Sequence, residues 1–174
     1  MRIAIIGNSG SGKSTLARWL ASRAGVPILD LDTVAWEPGQ IAVARSTDAA
    51  VRDVRAFCAL HESWVIEGCY ANLVGVALAF APRLVFLNPG ETRCITNCRS
   101  RPWEPHKYAS KAEQDEHLQH LLAWVGQYYS RGGEMSLSSH AALFAAYEGR
   151  KSELNCMPVL EPPSAELLAW TNDG

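Results

Sequence analysis

Residues 2–14 read Arg-Ile-Ala-Ile-Ile-Gly-Asn-Ser-Gly-Ser-Gly-Lys-Ser, and this stretch decides the fold. Its first five residues form a short apolar run that predicts a buried strand. Residues 7–14 then have the spacing Gly-x4-Gly-Lys-Ser, and apolar residues recur at helical spacing until Gly25. A glycine loop between a strand and the start of a helix is the context in which this spacing forms a phosphate-binding site.

Each residue type in this loop has a physical role. Glycines let the backbone curl so that successive N–H groups point at phosphate oxygens. Lys13 is placed to reach the β- and γ-phosphates of ATP, and the Ser14 hydroxyl is placed to bind Mg²⁺. The predicted nucleotide-binding residues are Gly7, Asn8, Ser9, Gly10, Ser11, Gly12, Lys13, Ser14 and Thr15.

Length and charge favour one globular domain over residues 1–174. The net charge is −2, from 16 basic and 18 acidic residues, so nothing in it favours a nucleic-acid or membrane partner. No apolar run approaches the roughly 20 residues of a membrane span, and the first residues are used by the predicted strand. We therefore expect a cytoplasmic location.

The five cysteines are scattered, and reduced thiols are the favoured interpretation. Cys94 and Cys98 share a predicted helix face. A metal pair there is the alternative, although no further ligands are evident in the sequence.

Strand and helix patterns alternate along the chain, which predicts an α/β fold with a parallel sheet between two helical layers. Pro27 opens the second predicted strand and Pro158 lies within the fifth, so both are expected at sheet edges. This gives the three-layer fold of P-loop NTPases, with strand order 2-3-1-4-5. The predicted strands are 2–6, 27–32, 64–67, 83–87 and 156–160. The first predicted helix begins directly after the glycine loop. The later ones begin at Ser46 or Thr47, Leu73, Glu91, Ser110 (a capping box with Glu113), Ser138 or Ser139, and Ser164.

Acidic residues follow two of these strands, where ligands bind in such sheets. Asp30 and Asp32 are two apart on a segment predicted to be extended, so their side chains should face the same way. Asp32 is the candidate acceptor carboxylate, and a turn cap is the alternative. Glu67 is the candidate Mg²⁺ carboxylate together with Ser14, and a structural cap is its alternative. Trp36 could be either a substrate platform or a core residue.

A basic, proline-broken segment follows the fourth strand and predicts a small lid at about residues 99–110. A mobile arginine-bearing loop would exclude water and stabilise charge on a transferring phosphoryl group. Arg99 and Arg101 are the candidate lid arginines. The alternative is a solvated helix end whose basic residues interact with the helix dipole.

Four stretches carry a family resemblance: IIGNSGSGKSTLA, LDTVAWEPG, WVIEGCY and LVFLNPG. In these the chain resembles the adenylate-kinase-like branch of P-loop kinases, and within it the small bacterial topology-modulation or adenylate-kinase-related proteins. The resemblance implies ATP and Mg²⁺ binding and phosphotransfer to a small acceptor. The Asp30-x-Asp32 pair is also similar to the paired aspartates of shikimate-type kinases, where the second holds acceptor hydroxyls.

Three departures from the family pattern bear on the acceptor and the metal. Glu67 and Asn88 stand where relatives usually have aspartate. Nucleoside-monophosphate kinases have an arginine shortly after the third strand, and this chain has none there.

The working hypothesis is an ATP-dependent kinase for a small hydroxyl-bearing or nucleotide acceptor, with Lys13, Asp32, Arg99 and Arg101 as catalytic residues. A nucleotide-sensing protein with little phosphotransfer is the alternative. An NTPase acting on nucleic acid is disfavoured by the charge.

Overall fold

The computed structural model describes residues 1–37, 43–103 and 109–172, the last without the side chain of Asn172. Within these residues the strands are β1 (Arg2–Ile6), β2 (Ile28–Asp30), β3 (Trp64–Gly68), β4 (Arg83–Leu87) and β5 (Lys151–Leu154). The helices are α1 (Lys13–Ala24), α2 (Asp32–Ala35), α3 (Thr47–Leu60), α4 (Ala71–Leu78), α5 (Glu91–Arg99), α6 (Lys111–Gly126), α7 (Leu137–Ala146) and α8 (Ala165–Asn172), with a 3-10 turn at Gln127–Tyr129.

The strands form one parallel sheet of order β2-β3-β1-β4-β5, which confirms the predicted fold class and order. Alternate residues of the central strand β1 face opposite helical layers. Ile3 and Ile5 pack with α1 and α8, whereas Ala4 and Ile6 pack with α3 and α4. The apolar character of β1 is thus explained by its burial on both faces.

The fifth strand was predicted at residues 156–160, and this prediction is wrong. The strand is Lys151–Leu154, which pairs in parallel with Leu84–Leu87. Its side chains alternate between exposed and half-buried, because β5 lies at the edge of the sheet and carries polar residues outward. The order was therefore correct although Pro158 lies outside the strand, while Pro27 does lie just before the edge strand β2.

Helix boundaries follow capping chemistry. The Ser110 hydroxyl accepts a hydrogen bond from Glu113 N at 3.1 Å, as the predicted capping box requires. The seventh helix is capped by Ser136, not by Ser138 or Ser139 as predicted. Ser136 Oγ both accepts from Ser139 N at 3.2 Å and donates to Gly133 O at 2.6 Å, so it joins the helix to the preceding turn.

In the part of the chain that the structure describes, no helix combines the length and apolar character needed to cross a bilayer.

Candidate functional site

The loop between β1 and α1 has the curled backbone that the glycine spacing predicts. Gly10 and Gly12 have positive φ angles of 76° and 102°. A Cβ at Gly7 would lie 2.2 Å from Leu87 O, and one at Gly10 would lie 2.3 Å from Cys94 O. Glycine is required at both positions because the loop is held between the end of β4 and α5.

The Lys13 ammonium group lies within this loop. The residue is only 8% exposed, and its Nζ donates to Asn8 O at 2.9 Å. Ser11 Oγ is buried in the same loop and has no hydrogen-bond partner among the described residues. A buried polar atom without a partner is costly in a folded protein. Together with the glycine backbone, it fits a cradle for a polyphosphate ligand.

Two side-chain amides fix the loop against neighbouring helices. Asn8 Nδ2 donates to Val125 O at the end of α6, at 3.0 Å, and Asn8 Oδ1 accepts from Ser9 N at 2.8 Å. From α5, Asn97 Nδ2 donates to Gly10 O at 2.8 Å. The role of Asn97 could not be predicted from local sequence, because its partner lies 87 residues away.

The prediction that Asp30 and Asp32 share an extended segment is wrong. The strand ends at Asp30, since Leu31 adopts right-handed helical angles (φ −66°, ψ −19°) and Asp32 begins α2. Asp30 is the residue that caps the turn, because its Oδ1 accepts from Asp32 N at 2.9 Å. Strand alternation therefore does not set the direction of the Asp32 side chain.

Asp32 instead contacts an aromatic pair. The Tyr70 hydroxyl donates to Asp32 Oδ1 at 2.8 Å, and Trp36 Nε1 donates to the Tyr70 hydroxyl at 2.7 Å. Tyr70 is buried, Trp36 is half-buried, and Tyr70 immediately precedes α4. The carboxylate predicted to meet the acceptor is thus held by a residue that the sequence analysis had not selected.

Glu67 is 3% exposed at the carboxyl end of β3. It lies beside Ile5 of β1 and Asp30 of β2 in the sheet register, so these three side chains share a face. Ile5 packs against α1, which places the Glu67 carboxylate on the α1 side of the sheet. The half-buried Ser14 belongs to that helix, so both candidate metal ligands lie on one side of the sheet.

The Glu67 carboxylate forms no hydrogen bond or ion pair with residues 1–37, 43–103 or 109–172. Its oxygen atoms and the Ser14 hydroxyl are the ligand type that Mg²⁺ prefers. These residues therefore fit a hard divalent cation next to the phosphate cradle.

The two predicted lid arginines differ in their surroundings. Arg101 Nη2 donates to Ser9 Oγ at 3.0 Å, so this guanidinium reaches the phosphate loop. Arg99 is exposed at the end of α5, and the described residues supply it no hydrogen bond or ion pair. Residues 104–108 of the predicted lid, and Pro38-Gly39 beyond Trp36, lie outside the described residues.

Arg131 and His140 form hydrogen bonds that connect segments next to the site. Arg131 stacks 3.6 Å from the Trp124 ring centroid and donates to Trp124 O and Met135 O, and burial lowers its pKa. His140 is fully buried between the Tyr128 hydroxyl (2.8 Å) and Cys69 O (2.9 Å), and burial lowers its pKa to about 4. Neither residue was singled out from the sequence, because both roles depend on tertiary packing.

The cysteines do not form a metal site in the described part of the chain, where no group of three or more potential ligands occurs. Cys94 and Cys98 are buried between α5 and α6. Burial raises the pKa of Cys94 to about 11 and that of Cys69 to about 12. These thiols are therefore protonated at neutral pH.

No protein-family model matches the chain, but it is similar to known proteins in sequence and in fold. A curated protein named shikimate kinase, from Paracidovorax citrulli (strain AAC00-1), is 35% identical over 124 residues, covering 69% of this chain and 62% of that protein. The chain thus spans less than two thirds of that relative's length.

Solved structures with a similar fold cover nearly the whole chain. A gluconokinase from Sinorhizobium meliloti 1021 has a TM-score of 0.56 at 20% identity, over 98% of this chain and 91% of its own. A shikimate kinase from Bacteroides thetaiotaomicron has a TM-score of 0.55 at 15% identity, over 99% and 94%. The chain has the fold of the P-loop kinases. The sequence similarity is to a protein named shikimate kinase and the similarity in fold is to P-loop kinases, a broader grouping than the adenylate-kinase-like branch that its motifs resemble.

Proposed function

We propose that this chain is an ATP-dependent kinase that transfers the γ-phosphate to a hydroxyl group of a small molecule. The observation that carries the proposal is the Lys13 ammonium in a glycine cradle, with the Glu67 carboxylate near the end of the neighbouring strand β3. The names of its relatives, shikimate kinase and gluconokinase, support a hydroxyl-bearing acceptor. Within this class, the finer resemblance to adenylate-kinase-related proteins stays a proposal.

The reaction assigns a role to Asp32. Its carboxylate accepts the proton of the acceptor hydroxyl as the oxygen attacks the γ-phosphorus. The bond from the γ-phosphorus to the bridging oxygen breaks, and ADP leaves with that electron pair. Lys13 and Arg101 stabilise the negative charge on the transferring oxygens, and Arg99 would contribute when the lid lies over the phosphates.

Ser14 and Glu67 are the residues that would hold Mg²⁺ beside the phosphates. The cation would supply charge neutralisation at the β- and γ-phosphate oxygens. Glu67 is 3% exposed, and in the sheet register it lies beside Ile5 of β1, the strand that leads into the phosphate loop.

The acceptor is more consistent with a polyhydroxylated molecule than with a nucleoside monophosphate. The segment after β3 is Cys69-Tyr70-Ala71-Asn72, and it supplies a phenol hydroxyl beside Asp32 where an arginine would be needed to bind a second phosphate. The Asp32 carboxylate, at the start of α2, is suited to accept hydrogen bonds from hydroxyl groups.

A coupled ADP-release assay over sugars, polyols, hydroxylated acids and nucleosides tests the proposal. Asp32→Asn should keep Mg²⁺·ATP binding but lose about 100-fold or more in turnover, the range expected for a general base. Asp115→Asn, which alters an exposed carboxylate on α6, is the control and should keep full turnover. Absence of acceptor-dependent turnover from folded, ATP-binding protein would contradict the proposal. Indifference to Asp32→Asn would favour a nucleotide sensor.

A further inference from the structure

The hydrogen bonds around Asp32 form a chain with one possible direction. An indole N–H can only donate, so the Tyr70 oxygen accepts from Trp36 at 2.7 Å. The phenol has a single proton, and it is directed at Asp32 Oδ1, 2.8 Å away. Trp36 thereby orients Tyr70, and Tyr70 orients Asp32.

Backbone contacts also stabilise the relative positions of the segments that carry Asp32 and Tyr70. Leu31 N donates to Glu67 O at 2.9 Å, which ties the residue before Asp32 to β3. A Cβ at Gly68 would lie 2.7 Å from Leu31 Cβ, so these two segments are in close contact. Both segments that carry the hydrogen-bonded groups therefore have fixed relative positions, which is what precise placement of a carboxylate needs.

We propose that Tyr70 and Trp36 are positioning residues that hold the Asp32 carboxylate in the orientation needed to accept the proton of the acceptor hydroxyl. This inference rests on the proposed kinase function. Neither residue needs to touch the substrate; both act through Asp32. Burial and the neighbouring Asp32 charge raise the pKa of Tyr70, so the phenol stays protonated and keeps donating at neutral pH.

Other charged groups lie near the Trp36–Tyr70–Asp32 hydrogen bonds. Any test must distinguish their electrostatic effects from the effect of these hydrogen bonds. Lys13, Glu67 and Arg131 lie close enough to affect the Cys69 thiol electrostatically, as does Asp32 itself. Asp30 caps the turn into Asp32 through its own carboxylate. Variants that remove only the Tyr70 hydroxyl leave these charges in place, so a change in pH dependence is assigned to the hydrogen bond.

The kinetic test compares Tyr70→Phe with Tyr147→Phe. Tyr147 donates to Pro82 O, just before β4 and therefore at the opposite end of the sheet, so its variant should leave kcat/KM and its pH profile unchanged. Loss of a hydrogen bond to the ionised carboxylate favours its protonated form. In Tyr70→Phe we expect the acidic limb of kcat/KM to move up by about one pH unit and kcat to fall about tenfold, with a smaller change in KM. An unmoved acidic limb would overturn the proposal.

A second readout does not depend on turnover. The Trp36 indole N–H resonance, assigned by its absence in Trp36→Phe, should shift in wild-type protein as Asp32 titrates. That inflection should vanish in Asp32→Asn and in Tyr70→Phe, and should persist in Tyr147→Phe. An inflection that survives in Tyr70→Phe overturns the proposal.

The two readouts separate the two proposals. A protein without turnover on any acceptor contradicts the kinase function, while the indole titration still decides whether Tyr70 orients Asp32. Should Tyr70→Phe fail to fold, Trp36→Phe takes its place. That variant should shift the acidic limb in the same direction by a smaller amount, and an unshifted limb would overturn the proposal.

Discussion

Replacing Gly10 by alanine tests whether the phosphate loop has the geometry described above. Gly10 has a φ of +76°, where a residue with a Cβ is disfavoured by roughly 1–2 kcal/mol. The added Cβ would also lie 2.3 Å from Cys94 O, and this backbone atom cannot move without shifting α5. Overpacking of this kind costs roughly 1–3 kcal/mol. The free energy of unfolding should therefore fall by about 2–5 kcal/mol.

Gly25 supplies a matched control. It has a φ of +66° at the end of α1, but a Cβ there would meet nothing within 4 Å. Gly25→Ala should cost only the backbone contribution of about 1–2 kcal/mol, or roughly 2–8 °C in Tm for a chain of this size. Thermal unfolding followed by circular dichroism gives both values.

Nucleotide binding distinguishes the two glycines further. Gly10→Ala should weaken binding of an ATP analogue by about tenfold or more, because the backbone N–H groups of the loop would no longer all point at the phosphate oxygens. Gly25→Ala should bind as wild type does. Equal stability losses and equal affinities in the two variants would refute the steric reasoning.

Two further predictions concern the support of the site. His140 has a pKa lowered to about 4 from its usual 6.5, so its contribution to stability is fully present above pH 6.5 and is lost as the pH falls toward 4. Denaturant unfolding should show a loss of roughly 3 kcal/mol over that interval in wild type and a flatter profile in His140→Gln; identical profiles would contradict the assignment. Ser136→Ala should destabilise α7 by about 1 kcal/mol in the same assay, whereas Ser139→Ala, which keeps the backbone N–H that donates to Ser136 Oγ, should change stability by less than about 0.5 kcal/mol. Equal effects of the two serine variants would argue against the Ser136 cap.

Local chemistry made much of the fold predictable. The order of the sheet follows from alternating strand and helix patterns, and the ends of α1 and α6 follow from Gly25 and the Ser110 capping box. These signals lie within a few residues of the structure they specify. The phosphate loop belongs to the same group, because strand, glycines and helix are consecutive in the chain.

Where the prediction failed, distant partners decided the outcome. The polar segment Lys151–Leu154 forms β5 because β4 pairs with it, whereas the more apolar residues 156–160 attracted the prediction. Asp30, used as a cap, ends β2 two residues early and turns Asp32 into the helix α2. Composition and periodicity carry no information about these choices.

The candidate site shows the same division. Lys13 and the glycines could be selected from their spacing, but Tyr70 and Asn97 could not be selected for their roles. Their hydroxyl and amide groups meet partners 38 and 87 residues away, respectively. The motif that contains Tyr70 was visible in the sequence, and only the fold connects it to Asp32.

The central claim is that the amides of residues 7–15 and the Lys13 ammonium form a polyphosphate cradle. Isothermal titration calorimetry with Mg²⁺ and a non-hydrolysable ATP analogue tests it most directly, on wild type and on Lys13→Met. We expect measurable, saturable heat for wild type and an affinity weakened by about tenfold or more in Lys13→Met. Absence of heat with folded wild-type protein, or equal affinity in the two proteins, would contradict it.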